Sequence, residues 1–322
     1  MATDSDKWAV GFDLGGTNLR AGLVSSSGEL KFRASCPTNP ARGSDAVIQD
    51  MVSVIRDILS QASSSIVGVG VAAPGPLDPK SGIIINSPNL NWGDVHLKKI
   101  LGKELDTEIT LDNDSQMTAF GERWKGAGLG SDHLVLLTLG TGVGGGVILN
   151  GCVYHGGSGS AGHIGHYILD PEGPICGCGA RGCLEAYASG PNIVRRAKEA
   201  ISHGNSTSLK NILVEDRAGL TPLKIFEAAQ QGDALAIDIL AETGRYIGQV
   251  LASLLPILDP ELIVVSGQVA FAGDFILDPA RKRMAELVHI RPQVPIVQGA
   301  LGDDGGIIGA AGVVFFDAGL IS

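Results

Sequence analysis

The sequence is poor in charged residues and lacks any block of basic ones. Only 18% of its 322 residues are charged while 44% are hydrophobic, whereas about 25% are charged in a typical soluble protein. This balance argues against intrinsic disorder, and the length suits one large domain or two ordinary ones. The net charge is −10 and lysine and arginine form no cluster. A nucleic-acid backbone or an anionic membrane surface is therefore a poor partner.

Long hydrophobic runs and a secretory leader are also missing. The longest apolar run, 307–316, is well short of the ~20 residues that a membrane-spanning helix needs. Residues 1–7 contain no basic region followed by an apolar core, which is the pattern of a signal peptide. We therefore expect a soluble, cytoplasmic protein without a membrane partner.

Cysteine is too sparse and too unevenly spaced for a disulfide framework. There are five, an odd number, and three of them fall in the motif Cys176-x-Cys178-x4-Cys183. With His166 they make up the ligand set of a structural tetrahedral zinc site, and the intervening glycines permit the sharp turns that the short Cys-x-Cys spacing requires. The alternative is that they are buried free thiols. The other two cysteines are interpreted as ordinary core or surface thiols.

Glycine, in contrast, is abundant, with 46 residues or about 14% of the chain, roughly twice the average. No Gly-X-Y period accompanies it, which excludes collagen, so the glycines are expected in tight turns and close backbone approaches. Two glycine turns resemble each other, at Leu14–Thr17 and at Leu139–Gly142. Each opens a half of alternating strands and helices, which favours a duplicated α/β architecture with a cleft between the halves. The alternative is two unrelated hairpins.

Hydrophobic periodicity predicts the main elements around these turns. Strands are predicted at 8–14, 19–24, 66–72, 108–111, 134–139, 146–149 and 262–266. Helices are predicted at 45–59, 97–105, 197–201, 222–230, 234–255 and 307–315, with another beginning near residue 114. Ser44 or Asp45 is predicted to cap the first helix.

The first glycine turn places a carboxylate beside backbone amides with little side-chain cover. Asp13 ends the first predicted strand, and Gly15-Gly16-Thr17-Asn18 follow it. Such a turn lets amide groups approach phosphate oxygens, and the aspartate can hold Mg²⁺ or its waters. Thr141 and its neighbouring glycines can do the same in the second half. The pattern is neither a P-loop nor a helix-opening dinucleotide motif.

Asn113 and Asp114 follow a predicted strand directly, where it runs into a helix. Side chains at such a junction are exposed at the floor of a cleft. An aspartate there can accept the proton of an attacking hydroxyl during phosphoryl transfer. The alternative is that Asp114 is a helix cap, which this residue taken by itself favours.

Together these motifs resemble the ROK family, which includes bacterial glucokinases, other sugar kinases and sugar-responsive repressors. The resemblance runs from about residue 8 to residue 315, and its most specific part is the cysteine motif that ends at Glu185. It implies an actin-like (ribonuclease-H-like) duplicated fold. The expected domains are residues 1–114 plus about 301–322, and residues 115–300 with a zinc-binding loop at 166–183. ATP, Mg²⁺, a structural Zn²⁺ and a homodimer are also implied.

The resemblance assigns roles to individual residues of this sequence. Asp114 matches the catalytic base. The implied substrate-binding residues are Gly75, Asn89, Asn113, Asp114, His163, His166 and Glu185. The implied nucleotide-binding residues are Asp13, Gly15, Gly16, Thr17, Asn18, Gly140, Thr141, Gly142, Gly267 and Gln268. The implied zinc ligands are His166, Cys176, Cys178 and Cys183.

We therefore expect ATP-dependent phosphorylation of a hexose at its 6-hydroxyl, with glucose as the first substrate and glycolysis as the setting. The alternatives are an N-acetylmannosamine kinase, a fructokinase or mannokinase, a polyphosphate-using glucokinase, and a sugar-binding regulator without kinase activity. The lack of a basic cluster argues against polyphosphate. Asp13 comes too early for a DNA-binding module to precede it, so we expect no nucleic-acid partner.

One position departs from the usual pattern of the family. Where the family usually has Gly-Glu-x-Gly-His, this sequence has a histidine, His163, in place of the glutamate. A carboxylate accepts hydrogen bonds from two sugar hydroxyls, whereas a neutral imidazole offers one acceptor and one donor. The preferred sugar is the property that this change is expected to alter. The alternative is a family variant that still selects glucose.

Overall fold

The computed structural model describes residues 7–62, 64–215 and 219–322. Its strands are β1 (Trp8–Leu14), β2 (Asn18–Ser25), β3 (Leu30–Pro37), β4 (Ile66–Ala73), β5 (Leu77–Asp78), β6 (Ile83–Ser87), β7 (Trp92–Val95), β8 (Ile109–Asn113), β9 (Leu134–Leu139), β10 (Val143–Leu149), β11 (Cys152–Val153), β12 (Leu262–Ser266) and β13 (Ile296–Gln298). Its α-helices are α1 (Ser44–Ser60), α2 (Leu97–Leu105), α3 (Asp114–Lys125), α4 (Glu185–Ala188), α5 (Gly190–Ser202), α6 (Leu209–Glu215), α7 (Pro222–Gln230), α8 (Ala234–Leu258), α9 (Asp274–Leu287) and α10 (Gly305–Asp317).

Each strand and helix predicted from the sequence has a counterpart, most with small shifts at the ends, but α5 begins seven residues before the predicted 197–201. The predicted cap of α1 is wrong, because the helix begins at Ser44 and Gly43 occupies the N-cap position with φ +87°. Glycine adopts this left-handed conformation without the steric penalty that a side chain would bring.

If the strands of each five-stranded sheet are numbered 1 to 5 in chain order, both sheets have the order 3-2-1-4-5. The first is β3-β2-β1-β4-β8 and the second is β11-β10-β9-β12-β13, and β5-β6-β7 form a separate small sheet. In the first sheet β1 runs antiparallel to β2 and parallel to β4, and in the second β12 runs parallel to β13. The repeated order confirms the duplication that the two glycine turns predicted.

The chain groups into two compact units. Unit 1 comprises Met1–Leu134, Gly146–Gly162 and Ala300–Ser322, and unit 2 comprises Val135–Gly145 and His163–Gly299. This grouping differs from the expected boundaries, since residues 115–134 and 146–162 belong to unit 1 rather than to the larger domain. For 115–134 the reason is that α3 packs on α10, where a Cβ on Gly309 would lie 1.7 Å from the carbonyl oxygen of Met117.

The first sheet is covered on both faces, as an α/β sheet requires. One face carries Phe12 and its alternating neighbours in β1, which share a buried apolar cluster with α1 and α2. On the other face α10 lies directly on the strands. A Cβ on Gly11 would come 1.9 Å from the carbonyl oxygen of Ile307, and one on Gly70 would come 2.1 Å from that of Ala310. Glycine is therefore required at both strand positions.

In unit 2, α8 and α9 approach each other closely along two glycines. A Cβ on Gly244 would lie 2.2 Å from the carbonyl oxygen of Ile276, and one on Gly248 would lie 2.4 Å from that of Ala280.

None of the helices within the described ranges combines the length and the apolar character that crossing a membrane demands.

Candidate active site

Three parallel strands of unit 1 end at the same edge of its sheet. β1 pairs with β4 and β4 with β8, all in parallel. In open α/β sheets, ligands bind beyond the carboxyl ends of the strands. This edge carries Asp13 at the end of β1, Gly75 shortly after β4, and Asn113 and Asp114 where β8 meets α3. The sheet thus brings together residues that are far apart in the chain.

Asn113 is the residue that caps α3. Its Oδ1 accepts hydrogen bonds from the backbone N–H groups of Ser115 (3.0 Å) and Gln116 (3.3 Å). Its Nδ2 donates to the carbonyl oxygen of Gly75 at 3.5 Å. Asp114 is the first residue within the helix, so the interpretation of Asp114 as the cap is wrong. The Asp114 carboxyl is available for another task.

The Asp114 carboxyl lies in a desolvated position. Its Oδ1 accepts hydrogen bonds from the Ser115 backbone N–H (2.7 Å) and hydroxyl (3.2 Å). Burial raises the pKa of Asp114 and outweighs the lowering effect of the hydrogen bonds from Ser115 and Asn113. General bases work best when their pKa is shifted toward the operating pH. The raised pKa of Asp114 therefore fits the predicted general base.

Asp13 lies in the same acidic environment. Burial raises the pKa of Asp13 to about 7, the charges of Asp114 and Asp303 add to the shift, and Arg20 opposes it. A Cβ on Gly306 would lie 3.0 Å from the Asp13 Cγ, so α10 begins directly against the carboxyl. A cation would stabilise the charged form, and carboxylate oxygens are ligands that Mg²⁺ prefers. Asp13 therefore fits the Mg²⁺ that the family resemblance implies.

Sequence patterns did not single out Arg20 and Asp303 as members of this environment. The Arg20 Nη1 lies 3.5 Å from the Asp303 Oδ1, and both residues act on the pKa of Asp13. The available signal was the run of glycine and aspartate at 302–306, directly before an apolar helix.

The conformation of the Asp13 turn is stabilised by one hydrogen bond within its backbone and one from the Thr38 side chain. The Gly15 N–H donates to the Asn18 carbonyl oxygen at 3.0 Å, and the Thr38 hydroxyl donates to the Gly15 carbonyl oxygen at 2.6 Å. Asn89 lies beside the turn, where a Cβ on Gly16 would be 3.3 Å from the Asn89 Cβ. The predicted sugar residue and the predicted phosphate turn are therefore neighbours in unit 1.

The second glycine turn, Gly140–Gly142, lies in unit 2 between the end of β9 and the start of β10, and Thr141 is exposed at its tip. The Gly190 N–H at the start of α5 donates to the Gly140 carbonyl oxygen at 2.8 Å. Gly267 has φ +90°, and a Cβ there would lie 2.5 Å from the carbonyl oxygen of Leu139. Gln268 follows it and is exposed. The nucleotide residues predicted for this half lie around one turn.

Four potential metal ligands come together in unit 2. The ligand atoms of His166, Cys176, Cys178 and Cys183 lie within 4.8 Å of one another. The Cys178 and Cys183 Sγ atoms are 3.7 Å apart, and the Cys176 Sγ is 3.8 Å from the His166 Nδ1. A tetrahedral zinc with Zn–S bonds of about 2.3 Å separates its sulfur ligands by about 3.8 Å. The donor set and its spacing fit a structural zinc ion.

Glu185 connects this cluster to the second glycine turn. Its Oε2 accepts a hydrogen bond from the Val143 backbone N–H at 3.0 Å, and its Oε1 accepts one from the Cys176 thiol at 3.4 Å. Gly165 packs on the same strand, since a Cβ there would lie 1.9 Å from the Val143 carbonyl oxygen. The turn, the 163–166 segment and the cysteine cluster therefore form one site within unit 2.

His163 is half-buried at the beginning of the 163–166 segment. Burial lowers the pKa of His163, and the nearby His166 lowers it further. The two ring centroids are 6.3 Å apart. At pH 7 the His163 imidazole is therefore neutral, with one donor and one acceptor for a ligand.

Comparison with known proteins shows to which family the chain belongs. The ROK family model matches residues 9–315. The chain belongs to the ROK family. A glucokinase of Halalkalibacterium halodurans is 37% identical over 317 residues, which are 96% of each chain. An N-acetylmannosamine kinase of Escherichia fergusonii is 31% identical over 269 residues, 83% of this chain and 85% of that protein.

Solved structures agree with this assignment. The crystal structure of a ROK family glucokinase from Streptomyces griseus in complex with glucose and AMPPNP has a TM-score of 0.84 and 32% sequence identity, over 95% of this chain and 98% of that one. The actin-like α/β fold expected from the sequence is confirmed.

In this ROK protein the predicted site residues fall into two groups. Unit 1 holds Asp13, Gly15, Gly16, Thr17, Asn18, Gly75, Asn89, Asn113 and Asp114. Unit 2 holds Gly140, Thr141, Gly142, His163, His166, Cys176, Cys178, Cys183, Glu185, Gly267 and Gln268. Their individual roles stay predictions.

A histidine that the sequence analysis did not single out lies next to β8. The His155 Nε2 is 2.6 Å from the Oδ2 of buried Asp112. This hydrogen bond raises the pKa of His155, with Asp317 adding to the shift while desolvation and Lys80 oppose it. The folded-state pKa is above the ordinary value of about 6.5. The protonated imidazole therefore stabilises the fold at low pH, and that stabilisation is lost as the pH rises through the raised pKa.

We expect the stabilisation by His155 to decrease with rising pH. The difference in free energy of unfolding between the wild type and His155→Gln should shrink as pH rises from about 6 to about 9, because the imidazole then loses its charge. Urea unfolding at each pH measures it. His289→Gln, at an exposed histidine, serves as the control and should show no such trend. A His155 difference that grows with pH would contradict the pairing.

Proposed function

We propose that this ROK protein transfers the γ-phosphoryl group of ATP to the 6-hydroxyl of a hexose, with glucose as the first substrate. The observation that carries the proposal is Asp114, which lies at the carboxyl edge of the unit 1 sheet with a raised pKa while Asn113 caps the helix. The glucokinase relative supports the choice of glucose. The solved relative with glucose and AMPPNP supports both substrates.

The chemistry follows from the residues at this edge. Asp114 would accept the proton of the 6-hydroxyl as the hydroxyl oxygen attacks the γ-phosphorus in line and the bond to the ADP oxygen breaks. Asn113 and Asn89 would hydrogen-bond to sugar hydroxyls. The amide groups of the two glycine turns would donate to phosphate oxygens. Such catalysis consists mainly of positioning and charge stabilisation.

Two metal ions would support the proposed reaction in different ways. Asp13 would hold Mg²⁺ directly or through water, and the bound ion neutralises charge on the phosphates. His166 and the three cysteines of the cluster would hold Zn²⁺. Four protein ligands leave no open coordination position, so the zinc site would order His166 and Glu185 rather than activate water. The homodimer and the cytoplasmic location stay predictions.

The test is a panel of sugars assayed with ATP and Mg²⁺. ADP release is followed with glucose, mannose, fructose and N-acetylmannosamine, and the product is identified by mass spectrometry and NMR. We expect the highest kcat/KM with glucose and a 6-phosphate product. A protein that binds sugar in calorimetry but releases no ADP with any member of the panel would instead be a sugar-binding regulator.

N-acetylmannosamine is the second candidate substrate, and His163 favours it. A neutral imidazole has an N–H that can donate to the carbonyl oxygen of an N-acetyl group, whereas a carboxylate in that position has no donor. The N-acetylmannosamine kinase relative is consistent with this alternative. Greater kcat/KM for N-acetylmannosamine than for glucose in the panel would establish it.

If glucose is the substrate, we expect His163→Glu to lower the KM for glucose about 5-fold with kcat nearly unchanged. A hydrogen bond to a charged group contributes about 1 kcal/mol more than a neutral one, and a change in KM alone is the signature of uniform binding. Steady-state kinetics with glucose and ATP measure it, with the KM for ATP as the internal control. A KM that rises for every sugar would mean that His163 is adapted to its substrate rather than a weakened contact.

A further inference from the structure

Gln116 lies two residues after the proposed base, and its side chain makes three hydrogen bonds in the core of unit 1. Its Nε2 donates to the carbonyl oxygens of Tyr154 (3.2 Å) and Ala161 (2.9 Å). Its Oε1 accepts from the backbone N–H of Val147 in β10 at 3.1 Å. Only 2% of the residue is exposed, and loss of its Oε1 would leave the buried Val147 N–H without this partner.

The two carbonyl groups that Gln116 binds belong to one segment, residues 154–161, which we term the anchor loop. The loop is closed on itself, since the Ala161 N–H donates to the His155 carbonyl oxygen at 3.1 Å. It follows β11 and leads, through Gly162, into His163. Gln116 therefore attaches the start of α3 to the chain segment that precedes the predicted sugar and zinc residues.

The anchor loop is also attached to a residue that precedes the proposed base in the chain. The His155 side chain pairs with the Oδ2 of Asp112 at 2.6 Å, and the Asp112 Oδ1 accepts from the Asn113 backbone N–H at 2.7 Å. The anchor loop is thus bound both before and after Asn113 and Asp114 in the chain. The backbone that carries the base is held between these two attachments.

We propose that Gln116 and His155 are positioning residues, which bind the anchor loop to the β8–α3 junction and thereby set the position of the Asp114 carboxylate. This inference rests on the proposed function, because it assigns the base to Asp114. A displacement of about 1 Å at a reacting group costs up to about 100-fold in rate. Loosening either attachment should therefore reduce kcat, although neither residue touches a reacting atom.

The variants for the test are Gln116→Met and His155→Ala, assayed with the sugar that the wild type uses best. Methionine keeps the length of glutamine but has none of its donors. We expect kcat to fall about 10-fold or more in Gln116→Met and by a smaller factor in His155→Ala, with the KM for ATP within about twofold of the wild type. His155→Gln keeps an N–H donor for Asp112 and should recover most of the loss.

Trp124→Phe is the matched control for stability. Trp124 lies at the other end of α3, where it packs against Phe315 with ring centroids 5.9 Å apart. This variant should lower the melting temperature without changing kcat. The double variant Gln116→Met with His155→Ala should lose less than the product of the single losses, because both act through one loop.

The inference is overturned if both single variants keep kcat within about twofold of the wild type below their melting transitions. Should Gln116→Met not fold, His155→Ala and His155→Gln alone decide, since the His155 side chain is 35% exposed and its loss leaves no large cavity. A wild type without kinase activity on any sugar would instead contradict the proposed function.

Discussion

We expect Asp114→Asn to lower kcat by about 100-fold or more, which is the loss typical of a missing general base. Asparagine keeps the shape of the side chain and a carbonyl oxygen for the Ser115 N–H, but it cannot accept the proton of the sugar hydroxyl. The KM for ATP and the Kd for the sugar should stay near their wild-type values. Steady-state kinetics and isothermal calorimetry measure the two effects separately.

The same substitution at an exposed aspartate provides the control. Asp106 occupies the C-cap of α2 with φ +49°, a left-handed conformation that asparagine also tolerates. Asp106→Asn should therefore leave both stability and kcat unchanged. Near-normal turnover in a folded Asp114→Asn protein would remove Asp114 from the mechanism and with it the central element of the proposed function.

The second large effect concerns the cysteine cluster. We expect the purified protein to contain about one zinc ion per chain, and Cys178→Ser to lose it. The KM for the sugar should rise about 10-fold or more, because loss of second-sphere order around a metal commonly costs that much. The KM for ATP should rise as well, since Glu185 contacts both Cys176 and the strand next to the second glycine turn.

Zinc content is measured by mass spectrometry of the metal, independently of activity. Cys152→Ser is the control, because Cys152 is an exposed cysteine outside the cluster. It should keep both the zinc and the kinetic constants of the wild type. A protein without stoichiometric zinc, or one that keeps full activity after a chelator has removed the metal, would contradict the zinc assignment.

The sequence predicted the elements whose ends are marked by residues that are adjacent in the chain. β1, β9 and β12 are short apolar segments that end at glycine turns, and this punctuation is visible without any knowledge of the fold. The cysteine motif is similar, since Cys176–Cys183 spans few residues and glycines form its turns. The distances between its sulfurs follow largely from that short loop.

Elements that depend on distant partners were not predicted. β3 is an edge strand with several exposed residues, so it lacks the apolar alternation of a buried strand and is defined by its pairing with β2. α9 contains Pro279, which in a sequence indicates a helix end. The helix continues because it packs closely on the glycines of α8.

The sequence by itself determined which chemical groups this protein has available: the Asp13 turn, the Asn113-Asp114 pair and a cluster of one histidine and three cysteines. Only the tertiary structure decided how they are arranged. It made Asn113 the cap of α3 and left the Asp114 carboxyl available for the role that we propose, and it joined Gln116 of α3 to the anchor loop by hydrogen bonds. The contacts of Gln116 depend on burial and on hydrogen bonds between residues 31 and 45 positions apart. Such contacts form only after the sheets and helices pack, so no periodicity or local spacing encodes them.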